Sequence, residues 1–116
     1  MLRASAKQNQ LAVNLRAMTD RSLDLELENG AVLLAFADAC VGSDLAALNK
    51  ARAELVKKMG AGALVQAAAI AGNFAMNDTA ANAIGIPMES MFLGDSEDYR
   101  EELGINDFPS AQNSLG

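Results

Sequence analysis

Residues 61–83, "AGALVQAAAIAGNFAMNDTAANA", constrain this chain more than any other stretch, because twelve of these 23 residues are Ala or Gly. The run lacks the Val/Ile/Thr alternation of a strand, and its apolar residues recur at helical steps. Pro87 cannot continue a helix, and Gly85 can adopt the left-handed conformation that ends one. The sequence therefore predicts a helix over 61–83, and a thin one. Small side chains let a neighbouring backbone approach closely and raise dispersion contact per unit length. Each buries little area, so at ~25 cal/mol per Å² such a helix gains less per residue than a Leu-rich one. It is expected to have neighbours on more than one side.

Amides sit within this slender element. At 100° per residue, Gln66, Asn73 and Asn77 fall within about 40° of one another. Ile70, Phe74, Ala81 and Ile84 lie on or beside the same stripe, and Ala68, Ala69, Gly72, Met76 and Ala80 supply another small-residue face. A buried amide left unpaired costs roughly 1–3 kcal/mol. Asn73 and Asn77 are therefore expected to bond to another helix or to a second subunit. The sharper alternative makes them ligand-binding amides in a pocket.

The rest of the chain also reads as helical. Residues 4–18 suggest a first helix, with Leu11, Leu15 and Met18 on one face. Thr19, Asp20 and Ser22 offer cap oxygens for a second, over 23–41. Asp24, Glu26 and Glu28 suit its N-terminus, and "AVLLAFADACV" is apolar nearly all round, so that half is expected to be buried. Asn29-Gly30 is an alternative break point. After "GSD" at 42–44, with Ser43 or Asp44 as cap, Leu45, Leu48, Leu55, Val56 and Met59 mark a third helix. Lys57 and Lys58 lie in its last turn, and Gly60 is its stop. Met88 to Leu93 is short and apolar, suited to docking back on the core. The expected fold is all-α, an antiparallel bundle of about four main helices over residues 1–93. Residues 94–116 read as an acidic, partly flexible tail.

Composition narrows function by exclusion. A net charge of −6 and a pI near 4.4 disfavour phosphate backbones and anionic membranes, so neither nucleic acid nor membrane is an expected partner. No run of 18 apolar residues is present, and the N-terminus lacks an apolar segment of signal-peptide length. The single cysteine, Cys40, rules out an internal disulfide and fits a reducing, cytoplasmic setting. The absence of histidine removes the commonest general base and neutral metal ligand together. A zinc site would rest on one Cys and carboxylates, so no metal or cofactor is expected. Asp95, Glu97, Asp98, Glu101 and Glu102 lack the spacing of a calcium loop. Gly60-Ala61-Gly62 has neither the preceding strand nor the Gly-Lys-Ser/Thr of a phosphate loop. Met59, Met76, Met88 and Met91 read as core fillers.

The order "NGAVLLAFADAC", a linker, then "AALNKARAELVKKMGAGALVQAAAIAGNFAMNDTAANAIGIPME" resembles the carboxymuconolactone decarboxylase-like superfamily. It is most similar to the C-terminal half of the alkylhydroperoxidase D-like domain. The resemblance spans roughly residues 30 to 90 and is carried by Asn73-Phe74-Ala75-Met76-Asn77, then Ala80 or Ala81, then Gly85-Ile86-Pro87-Met88-Glu89. It implies an all-helical fold assembling as trimers or hexamers. In the peroxidase branch, a Cys-x-x-Cys-x-x-x-His motif and an upstream Glu carry thiol chemistry; neither the second Cys nor the His exists here. Asp78 stands where relatives frequently have Arg. Cys40 aligns with a packing helix and is expected to be a buried, inert thiol.

A half-domain standing alone leaves apolar helix faces without their usual neighbours, which points to association. The leading expectation is a non-catalytic helical assembly protein, a homo-oligomer in preference to a partner of a redox-active sibling chain. The alternative is a divergent enzyme of the superfamily, or a subunit of a split peroxidase-like oxidoreductase. An enzymatic role requires Asp38, Asn73 and Asn77 to converge on a pocket. A third option is a passive binder of a small ligand between helices.

Overall fold

The structure is a computed structural model that describes residue 9 and residues 12–115. Its regular elements are all helical, and no strand occurs among the described residues, so the fold class is all-α. The main helices are α1 (Gly30–Val41), α2 (Leu45–Met59) and α3 (Ala61–Ile84). Shorter ones follow: α4 (Ser90–Asp95), α5 (Glu97–Glu102) and α6 (Gln112–Leu115). The chain divides into two compact units, Met1–Phe74 and Ala75–Gly116, and α3 contributes residues to each.

In the first unit, α2 starts and stops as its sequence predicts. The Asp44 carboxylate accepts hydrogen bonds from the backbone N–H groups of Ala46 (2.8 Å) and Ala47 (3.2 Å). These are two of the donors that a helix N-terminus leaves without intrahelical partners. Lys57 and Lys58 occupy the last turn, and Gly60 ends the helix at φ +87°.

The helix expected over 23–41 begins only at Gly30, so Asn29-Gly30 is the break. The Asp24 carboxylate accepts from the Glu26 N–H at 2.7 Å, folding a local turn. Glu26 (φ 61°) and Asn29 (φ 58°) are both left-handed, and two such residues within four cannot belong to an α-helix. Asp24, Glu26 and Glu28 thus lie in a loop instead of a helical first turn. Gly30 is needed for space. A Cβ there would stand 3.0 Å from Leu25 Cδ2 and 3.2 Å from Leu25 Cβ.

The N-terminal expectation is also revised. Of residues 4–18, those from 4 to 8, together with Gln10 and Leu11, lie outside the described residues. Leu15–Met18 form a single 3-10 turn, and residues 12–14 are irregular. Asn14 sets this turn: its side chain accepts from the Arg16 N–H at 3.2 Å, while its own N–H donates to the Leu25 carbonyl at 3.1 Å.

The core of the first unit is small. Phe36, Ala51 and fully buried Leu55 form its centre, with Val32, Ala39, Leu48, Leu64 and Ala67 packed against them. Leu15, Ala17 and Leu25 are also buried. The two helices α1 and α2 pack chiefly on each other, which leaves part of the circumference of α1 open. Its expected all-round burial is not found: Gly30 and Phe36 are buried, Leu33 is exposed, and Val41 is 85% exposed. Cys40 is exposed too, a correction to the buried thiol expected of it. The buried stripe runs through Val32, Phe36 and Ala39, and Cys40 lies beyond its edge in the last turn.

α3 ends as its sequence predicts. The Ile86 N–H donates to the Ala81 carbonyl at 3.1 Å across Gly85, whose φ is 67°. This is the six-to-one closure of a left-handed C-terminal cap, and Pro87 follows it. Among the described residues the expected neighbours on several sides are absent, for no residue of α3 is buried. Ala63, Leu64, Ala67 and Ala71 are half-buried on the first unit's side.

In the second unit, the segment expected as a partly flexible acidic tail is built of short helices and 3-10 turns over its described residues. Glu97 and Asp98 occupy the first turn of α5, where acids suit the helix dipole. The buried side chains here are polar: Ser96 and Arg100. The Ser114 hydroxyl accepts from the Met88 N–H at 2.7 Å, holding α6 to the chain just before α4.

Candidate functional site

The first unit places Asp38 between two open clefts. The larger, about 610 Å³, is floored by Ala31, Ala35, Ala39, Ala47 and Ala51 from α1 and α2. Asp38, Asp44, Lys50 and Glu54 stand along it. The second, about 490 Å³, is lined by residues 21–25 and by Leu34, and shares Ala31, Ala35 and Asp38 with the first. Small residues on the exposed side of α1 leave both hollows open, since nothing larger than a methyl group projects from Ala31 or Ala35.

Asp38 does not stand free. Arg21 clasps it as a fork, with Nε donating to Oδ2 at 2.7 Å and Nη2 to Oδ1 at 2.7 Å. The remaining nitrogen, Nη1, donates to the Ala17 carbonyl. Paired donors matched to both carboxylate oxygens are the strong geometry for this pair. The hydrogen bonds from Arg21 hold the Asp38 carboxyl below its ordinary value of 3.8, and the same bonds raise the Arg21 guanidinium. Both side chains are about half exposed, at 43% and 52%, so water screens the pair. Nearby, Asp20 accepts from the Ser22 hydroxyl at 2.6 Å and from the Ser22 N–H at 3.0 Å, which lowers its pKa as well.

These features limit the chemistry. An aspartate held low by a guanidinium is a weaker base than a free carboxylate, and Asp44 already has an oxygen committed to the cap of α2. Lys50 and Glu54, on one face of α2 and opposite in charge, give the rim no single sign. The hollows are suited to contact more than to proton transfer.

Of the residues singled out in the sequence, Asp38 lines both clefts and Asn73 lines neither. Asn73 is exposed in the first unit and Asn77 is exposed in the second. Neither side-chain amide has a hydrogen-bond partner among the described residues. Cys40 lines neither cleft. Arg21 escaped the sequence reading, because its partner lies 17 residues away with no local pattern to announce it. Arg100 was missed as well, although a lone Arg within an acidic stretch is an available signal.

Among the described residues, no group of three or more His, Cys, Asp or Glu side chains is gathered to hold a metal ion. No helix there is long and apolar enough to cross a membrane. No family model matches the chain, and neither the curated proteins nor the solved structures compared with it give a match.

Proposed function

We propose that this chain is a non-catalytic helical assembly protein of the alkylhydroperoxidase D-like kind, and that α3 is where copies of it meet. One observation carries the reading: a helix of 24 residues has none of them buried. Val65 is 68% exposed and Ile84 73% exposed, with Ile70, Phe74 and Met76 also open. An apolar surface of this extent left open to water marks a place of association.

Charge favours a second copy as the cover. Two chains of net charge −6 repel unless they touch through uncharged surface, and residues 59–77 carry no charge at all. Gly72 adds support. Nothing among the described residues lies within 4 Å of a Cβ built there, so no contact among them explains a glycine. Glycine within a helix costs roughly 0.5–1 kcal/mol relative to alanine, and close approach of a second backbone would account for it. On this reading Asn73 and Asn77 bond across the interface. A cytoplasmic setting fits the single thiol.

Sedimentation velocity over a wide concentration range tests the proposal. The expected result is a mass that is a whole multiple of 12.1 kDa, falling to one chain in Ile70→Glu with helix content unchanged by circular dichroism. A chain that stays at 12.1 kDa throughout overturns the homo-oligomer. If that monomer assembles only with a separate thiol-bearing chain, the partner is the redox-active sibling instead.

A further inference from the structure

We draw no further inference here: the strongest candidate, the alanine-floored cleft between α1 and α2, is an open apolar groove with rim groups of both charges, and nothing in the structure shows what covers it.

Discussion

Arg100 Nη1 donates to Asn106 Oδ1 at 3.0 Å, linking α5 to the 3-10 turn at Ile105–Asp107. The same buried guanidinium donates through Nε to the Ser96 hydroxyl at 2.9 Å and through Nη2 to the Leu93 carbonyl at 2.7 Å. One side chain thus closes the second unit, which buries little apolar surface of its own. Hydrogen bonds to a charged group contribute about 1.5–3 kcal/mol, and partners left buried and unpaired cost extra. Arg100→Ala is expected to destabilise this unit by about 2–4 kcal/mol. Hydrogen exchange should then quicken across residues 88–115 and hold steady in α2. Arg100→Lys should not rescue it, because an ammonium cannot reproduce the planar fork. Unchanged exchange in Arg100→Ala would show that the clasp does not hold the unit.

The Arg21–Asp38 fork has a pH signature with a definite sign. Asp38 is more acidic folded than unfolded, so the unfolded chain binds more protons between the two values. Its contribution is complete above the unfolded value near 3.8 and fades as pH falls through the folded one. Asp38→Asn is expected to cost at most about 1 kcal/mol at neutral pH, given the exposure of both groups. In urea titrations the difference from the unaltered protein should shrink toward zero in acid. A difference independent of pH would mean that the fork is not electrostatically coupled to folding.

Gly30 is the tightest glycine in the first unit. A methyl group added there must displace Leu25, itself buried, from contacts at 3.0 and 3.2 Å. Gly30→Ala is therefore expected to destabilise by about 1–3 kcal/mol, although alanine favours helix by its own propensity. A rise in urea midpoint would count against the close packing of Leu25 over the start of α1.

Gly72 should behave in the opposite way. With open space around its would-be Cβ, Gly72→Ala is expected to stabilise the isolated chain by about 0.5–1 kcal/mol. If copies pack closely on this face, the same methyl group should weaken assembly, seen as a dissociation midpoint at higher protein concentration. Equal or tighter association in Gly72→Ala would remove the face from the interface.

Elements with local punctuation were legible in the sequence. Asp44 and Gly60 bracket α2, and Gly85-Ile86-Pro87 stops α3, because caps and left-handed closures act within a few residues. The start of α1 was only half legible. Asn29-Gly30 marked a break, but the second left-handed residue, Glu26, follows from a turn that Asp24 happens to close. Burial was the hardest property to read. "AVLLAFADACV" looks like a core helix by composition, yet its burial depends on how many neighbours the chain supplies, and α2 covers one side. Of the candidate site, Asp38 was named without its counter-ion, since a contact over 17 residues leaves no spacing to detect. The segment after Gly94 reads as acidic and partly flexible from its composition, and the bonds of Arg100 to Ser96, Leu93 and Asn106 carry no spacing that composition could reveal.

The solvent-facing position of Cys40 has a practical consequence. A maleimide dye would attach once per chain, without any engineered substitution, on the final turn of α1. Stepwise photobleaching of such labelled particles would then count the chains in each, one bleaching event per chain, and read stoichiometry molecule by molecule.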